Sequence, residues 1–539
     1  MNIDHSRRDG DMNRSIRKAL AGAAALVVLA AVGCTDLIVE PKSTVNEANA
    51  FKDPSSYRAF LAKLYAGLSI GGQTMPEGQP DIQGINEGFS SYLRLFWEHQ
   101  ELPTDEAVIA WGDLGLPEMN TQLWAVDNQF VVAMYYRIFF QVSMANEFLR
   151  QTTAAKLAER GQSGNATLVA SIASYRAEAR FLRALSYWHG LDMFGNIPLY
   201  TEADVVGVPP LQATRTQVYD FIVSELTGIL GDLPASGAAN YGRATVLAAQ
   251  MLLAKVYMNA QVYTGTPHYT EAMTAITAVI AGPYTLNPVW RKNFLADNNT
   301  SAEIIFAITQ DGVHTQTWGG MTFLIHAACG RNMNLALYGI NGCWEGFRMK
   351  NAAYSRYAAG DTARTSYFFG PNATYTDSVA AIGTYTNGIP APKFANVTST
   401  GQPGSSANHP DTDFPMFRLA DAYLMYAEIN LRGGGGSAAT ALGYVNSLRQ
   451  RSYGGTSGDI TAPQLTLDFI LDERGRELLS EGHRRTDLIR FDRFTGGTSL
   501  WEWKGNVRTG TSTSAYRNLY PIPANELIAN PNLQQNPGY

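Results

Sequence analysis

Three sets of residues in this sequence have types and spacings that could do chemistry. In LDERGRELLSEGHRRTDLIRF, Leu471 to Phe491, three acids (Glu473, Glu477, Glu481) recur every four residues with His483 close behind. Carboxylates so spaced share one face of a helix and, with a histidine, could bridge a metal ion. Arg474, Arg476, Arg484, Arg485 and Arg490 interleave with them, so the charges can instead cancel in ion pairs, and this metal-free and cofactor-free reading is the one the composition of the stretch favours. The second set is the neighbouring acids Asp105 with Glu106 and Asp411 with Asp413. A glycoside hydrolase needs two carboxylates flanking the scissile bond, and adjacency along the chain says little about that geometry. Walker, HExxH, G-x-S-x-G and Cys/His metal spacings do not occur. The run Gly433 to Gly436 joins two helical patterns and reads as a flexible turn rather than a phosphate loop. No catalytic residue is assigned.

The third set is aromatic. Trp97, Trp111, Trp124, Trp290, Trp318 and Trp344 fall in or beside two stretches, 69–125 and about 283–415, that are broken by Gly, Pro, Asn and Thr. Core packing needs large rings less in such segments. A sugar ring presents an apolar C–H face that packs on an aromatic plane, while polar neighbours fix its hydroxyls. Any single one of these rings can equally serve as core.

The elements that must position these residues are helices. From Arg176 to Tyr200 apolar residues recur at Ala179, Leu182, Leu185, Trp188 and Leu191, and Phe181, Ala184, Tyr187 and Phe194 widen the stripe beyond half the circumference. Arg176, Arg180 and Arg183 form its polar edge, and Gly195 with Pro198 marks its end. Asp53 and Pro54 read as the N-cap and first turn of an earlier helix, and Thr214 with Gln217 as a capping box. Stripes at Leu247, Met251, Ala254, Tyr257 and at Met273, Ile276, Val279 are matched later by Ala420, Leu424, Ala427, Leu431 and by Ala441, Val445, Leu448. Helix pairs of this size resemble tetratricopeptide units, which bury their faces by stacking, and up to four can be counted. The fold class expected is therefore mostly α: a scaffold of helix-turn-helix repeats with long irregular loops and a few short strands such as Glu303 to Thr309. The two loop-rich stretches are read as display regions, and the tail from Trp501 to Tyr539 as irregular chain packed across the surface.

Length and charge narrow the function classes. With 539 residues the chain calls for two domains or a repeat architecture. The 41 basic and 47 acidic residues leave a net charge of −6, and without the 5 basic and 3 acidic residues of 1–33 the remaining 36 and 44 leave −8, which disfavours nucleic acid as a partner. Arg14, Arg17 and Lys18 precede the apolar run Ala21 to Gly33, too short to span a membrane, and then comes Cys34. That order reads as a lipoprotein signal peptide over 1–33, with Cys34 lipidated as the first mature residue; translation can start at Met1 or Met12. Cys329 and Cys343 can stay free or close a short loop, worth about 3 kcal/mol as a disulfide, and spacing alone leaves both open.

Several long stretches in order, RAEARFLRALSYWHGLDMFGNIPLY, GRATVLAAQMLLAKVYMNAQVYTG, HPDTDFPMFRLADAYLMYAE, EGHRRTDLIRF and YPIPANELIANPNLQQNPGY, resemble the SusD/RagB family of outer-membrane nutrient-binding lipoproteins. The resemblance divides the chain into an N-terminal part, 34–235, and a C-terminal part, 236–539, within one compact unit. It implies a cell-surface protein without catalysis, anchored in the outer membrane by lipid, that captures a glycan and acts as a lid on a SusC-like TonB-dependent transporter. ELPTDEAVIAW, QDGVHTQTWGG and SLWEWKG are most similar to the starch-binding branch, in which an arc of aromatics follows an α-glucan helix. On that likeness Trp318 is one arc residue and Arg94 a donor to sugar hydroxyls. A second arc position falls on Ile109 and a third on Cys343, so that Trp111 and Trp344 would have to restore the arc. The ligand is then starch or a malto-oligosaccharide, with a non-starch glycan or peptide, or a surface glycoside hydrolase, as alternatives.

Overall fold

In the computed structural model residues 51–73, 78–370 and 372–539 are described, so the expected signal peptide over 1–33 and the expected lipidation site at Cys34 lie outside the described residues. Helices dominate. The principal ones are α1 (Ser55–Ser69), α2 (Tyr92–Glu101), α3 (Gln129–Gln151), α4 (Ala166–Phe194), α5 (Arg215–Ile229), α6 (Val246–Met258) and α7 (Tyr269–Ile280). They are followed by α8 (Gly320–His326), α9 (Leu419–Leu431), α10 (Ala438–Tyr453), α11 (Leu467–Glu477), α12 (Arg484–Arg490) and α13 (Ala524–Ala529). Their ends fall where side chains can satisfy the free backbone groups. Asn165 caps α4 by accepting from Leu168 N, and Gly195 ends it at φ +77, where a Cβ would be strained. Thr214 and Gln217 form the expected capping box on α5. At α1 the start shifts: Pro54 itself is the N-cap, without a side-chain bond.

Consecutive helices pack in succession, α3 on α4, α4 on α5, α6 on α7, α7 on α9 and α9 on α10. Each buries a face that no helix of this length could keep in water alone, which is the tetratricopeptide-like stacking the spacing predicts. The core runs through α4, where every residue from Ala177 to Phe194 except the arginine at 180 is buried. Arg180 and Arg183 both reach Glu225 on α5, and Arg176 donates to Leu149 O and Thr152 Oγ1.

Strands are few and short: β1 (Ala107–Ile109), β2 (Ile197–Pro198), β3 (Gln212–Ala213), β4 (Ile304–Ile308), β5 (Phe347–Met349) and β6 (Phe414–Arg418). They form three antiparallel pairs, β1 with β5, β2 with β3, and β4 with β6. In the last pair Ile304 faces Arg418 and Ile308 faces Phe414. The long irregular stretch therefore leaves the scaffold and returns to it at one place.

The structure departs from the sequence pattern in two stretches. The stretch 69–125 is not only display, because it contains α2, all of whose residues are buried. Its period is hidden by polar residues that have found internal partners: Arg94 bonds Glu98, Gln100 donates to Asp192, and Glu101 accepts from Gly482 N. The tail does not simply lie across the surface either. Tyr520 and Ile522 are fully buried, and Asn536 donates to the carbonyls of Phe194 and Tyr520, sealing the end of α4.

The carboxylates of α11 and the turn after it are consumed by arginines. Arg418 Nη1 bonds Glu303 at 2.9 Å and Glu477 at 2.7 Å, and its Nε bonds Glu481 at 2.6 Å. Arg364 reaches Glu473 and Glu477, and Arg451 reaches Glu303 and Glu477. Burial alone would raise the Glu473 pKa, but Arg364, Arg476 and Arg449 hold it at about 2.

Arg418→Ala leaves three buried carboxylates without their shared cation and is expected to cost about 3–5 kcal/mol in denaturant unfolding; a loss below about 1 kcal/mol would contradict that role. Burial pushes His99 and His189 down to about 3. Unfolded imidazoles take up protons near pH 6.5 that the folded ones refuse, so this stability is present above pH 6.5. It is lost as pH falls toward 3, by up to about 1.4 kcal/mol per pH unit for each histidine. Unfolding free energies at pH 7.5 and 5.5 check this, and the His99→Asn, His189→Asn pair should flatten the slope.

Candidate functional site

The six tryptophans divide in two. Trp97, Trp124 and Trp290 are buried, and their indole N–H groups donate to Ser480 O, Tyr539 Oη and Glu477 Oε1; they are core, Trp97 as part of the buried α2. Trp111, Trp318 and Trp344 are each partly exposed and meet. The Trp318 and Trp344 rings lie 6.1 Å apart at 57°, and Trp111 and Trp344 lie 6.4 Å apart at 44°. His409 packs on Trp318 at 4.9 Å, and His326 stacks on Trp344 at 4.7 Å and 26°.

Each ring is held from below. Trp318 follows Thr317, whose hydroxyl donates to Glu87 Oε1 at 2.6 Å, and the buried Glu87 also accepts from Gly71 N. Gly88 leaves the space the indole occupies, since a Cβ there would come within 2.8 Å of Trp318 Cβ. Trp344 N donates to His326 O at 2.9 Å, and its ring rests on the same histidine, whose Nδ1 lies 2.7 Å from Gly342 O. Cys343, one residue before, forms a disulfide with Cys329. Trp111 leaves β1 and donates from Nε1 to Trp344 O at 3.1 Å, its ring lying over Gly346.

The structure does not set Arg94 beside the rings as a free donor. Its side chain is 2% exposed, and its guanidinium lies 4.3 Å from the Phe323 ring, 4.5 Å from Phe89 and 5.5 Å from Trp111. Its Nε bonds Glu98 at 2.8 Å. This is a desolvated cation beneath the aromatic layer, where cation–π contact is at its strongest, so Arg94 supports the rings rather than offering bonds outward. Burial raises Glu98 to about 6 even with Arg94 adjacent. Burial also holds His326 and His409 below the ordinary imidazole value, which leaves both neutral at pH 7 and the aromatic layer uncharged.

The two unmatched positions are sealed. Ile109 is fully buried in β1, with its backbone N–H given to Asn120, and Cys343 is committed to the disulfide. The acid pairs also have structural partners. Asp105 and Glu106 are held by Arg356 and Arg484, Asp411 accepts from Gly312 N and Ser405, and Asp413 accepts from Tyr241 and Gln310 N. Among the described residues no group of three or more His, Cys, Asp or Glu could hold a metal ion, and no helix is long and apolar enough to cross a membrane. Sequence reasoning missed His326, His409, Glu87 and Gly346. They come from four separate segments, and only the fold brings them under the three indoles.

Comparison with known proteins agrees with this architecture. Residues 305–539 match the SusD family. The chain is 33% identical, over 96% of its length and 98% of the relative's, to the starch-binding protein SusD of Bacteroides thetaiotaomicron. Among solved structures, a SusD superfamily protein of the same organism covers 90% of this chain and 99% of its own at a TM-score of 0.70 and 20% identity. Surface glycan-binding protein A of Bacteroides thetaiotaomicron, solved in complex with laminarihexaose, covers 89% and 99% at a TM-score of 0.68 and 21% identity.

A Cβ at Gly346 would meet Trp111 Cζ2 and Ala327 Cβ, both at 2.8 Å. Gly346→Ala is therefore expected to push the indole outward, lowering stability by about 1–3 kcal/mol and shifting tryptophan emission to the red. Unchanged emission and stability would show that the ring does not depend on this close approach.

Proposed function

Because the chain belongs to the SusD family, we propose that it is a cell-surface glycan-binding protein whose binding face is the layer formed by Trp318, Trp344 and Trp111. The observation that carries this reading is the meeting of three partly exposed indoles from separate loops on a buried, internally paired base. Core packing does not require such rings at the surface, whereas the C–H faces of a sugar chain match them. Starch or a malto-oligosaccharide is the favoured ligand, supported by the 33% identity to a protein named as starch-binding. No chemical step is part of the function: the acids that could have served as acid and base are engaged by arginines, backbone amides and hydroxyls. Lipidation at Cys34 anchors the protein in the outer membrane, and captured oligosaccharide passes to a SusC-like TonB-dependent transporter, the partner that family membership suggests.

A second reading keeps the same face and changes the linkage. The two positions that depart from the starch-binding pattern, Ile109 and Cys343, are replaced by rings one or two residues along the chain, so the curve of the aromatic layer differs. A glycan other than an α-glucan is then the ligand.

Trp318→Ala is expected to cost about 2 kcal/mol in maltoheptaose affinity, a roughly thirtyfold rise in Kd by calorimetry; an unchanged Kd would remove Trp318 from the site. A glycan array separates the two linkages. Cys34→Ser should release the protein from membranes, and full retention would contradict the anchor.

A further inference from the structure

Next to the aromatic layer lies a shallow cleft lined by the polar Arg331, Glu345, Thr374 and Thr386 and by the apolar Met333 and Pro390. It adjoins the layer directly, because Glu345 follows Trp344 in the chain. Glu345 has φ +52, a left-handed backbone conformation that a residue with a Cβ adopts only at a cost and that glycine or asparagine would adopt with less strain. On the opposite side, Phe369 and Asn372, at φ +64 and +70, lead into the segment that supplies Thr374. Strained backbone of this kind persists where the surrounding structure imposes it, and it concentrates at ligand clamps.

The Glu345 carboxylate is held but not used up. Oε1 accepts from Arg331 N and Oε2 from Arg331 Nη2, both at 3.1 Å, while Glu345 N is tied to Cys329 O. Each carboxylate oxygen has a second acceptor position. The Arg331 side chain is 82% exposed, so its remaining donors face outward. A fixed carboxylate with two free acceptor positions beside an exposed guanidinium matches the vicinal hydroxyls of a pyranose: two O–H groups donate to the carboxylate and a neighbouring oxygen accepts from arginine. The disulfide between Cys329 and Cys343 closes the base of this wall and keeps it in register with Trp344.

We propose that this cleft is a polar subsite for the same glycan chain, in which Glu345 and Arg331 bind a vicinal hydroxyl pair of a sugar that has run past Trp344. It rests on the reading of the tryptophan layer as the glycan-binding face and adds to it a subsite for longer chains. Stacking on the indoles holds the chain with little regard for hydroxyl orientation, and the cleft supplies the discrimination.

The strain at Glu345 makes the test specific. Glu345→Gly removes the carboxylate and relieves the backbone, so a purely structural carboxylate and a ligand-binding one give different results. Calorimetry with maltotriose and maltoheptaose on wild type, Glu345→Gly, Glu345→Gln and Trp318→Ala, with thermal unfolding of each, is the experiment. The expected result is that Glu345→Gly unfolds at or above the wild-type temperature and binds maltoheptaose on the order of tenfold more weakly, with maltotriose affinity unchanged. Glu345→Gln should lose less, since it keeps one acceptor. If both Glu345 variants bind maltoheptaose as wild type does while Trp318→Ala does not, the subsite is wrong and the aromatic face stands. If wild type binds neither sugar, the starch reading fails and this subsite fails with it.

Discussion

Arg418 is the point on which the rest of the structure depends. It ends β6, is 1% exposed, and bonds three carboxylates from two directions: Glu303 at the start of β4, and Glu477 and Glu481 on α11 and the turn after it. A cation cannot stay charged in such a place unless it is fully paired, and each paired carboxylate has the same requirement. The need is met only when β4, β6, α11 and α10, which brings Arg451, are all present. A cluster of this kind adds little net stability compared with an apolar core of equal volume, but it selects one arrangement of these elements over the alternatives. Because β4 and β6 bracket the long excursion, the same cluster fixes the base from which Trp318 and Trp344 stand.

The path from that base to the surface runs through smaller buried polar nodes. Lys393 donates to Leu479 O and Glu481 from the returning limb of the excursion, tying it to the cluster. Glu87 ties the loop before α2 to Thr317, and Arg94 supports Phe323 and Trp111 from within. The pairing of β1 with β5 brings the Trp111 end of one loop alongside the Trp344 end of another. The charges beneath the layer are paired in the interior, and the three indoles above them are neutral. That distribution suits a neutral, hydroxyl-rich ligand: the rings themselves carry no charge, and they offer area without an ordering cost, since their positions are already set.

How much of this was legible in the sequence follows from the range of the interactions involved. The helix pairs were legible because their apolar stripes are local and periodic, as in Leu247 to Tyr257 and Ala420 to Leu431. Helix α2 was not, because its polar residues point inward to partners that lie hundreds of positions away, such as Gly482 for Glu101. The arginine-rich stretch after Leu471 could be read as ion pairs from its composition, but Glu303 and Arg364, which complete the cluster, carry no local signal. Half of the candidate tryptophans proved to be core because irregular backbone does not imply exposure. Trp97 sits on the buried helix α2, and Trp124 and Trp290 lie in chain that itself runs through the interior. Arg94 differs from the role the resemblance implies for the same reason: an identity at one position does not carry the surrounding layers with it, and here Phe89, Phe323 and Trp111 cover the guanidinium.

The central claim is that a preformed layer of three indoles, set by the buried network beneath it, receives a glycan chain without rearrangement. A crystal structure of residues 35–539 with maltoheptaose tests it most directly. The expected result is sugar rings stacked on Trp318 and Trp344 with Arg94, Glu98 and the Arg418 cluster unmoved. Sugar bound elsewhere on the molecule, or bound here only after the indoles have separated, would contradict it.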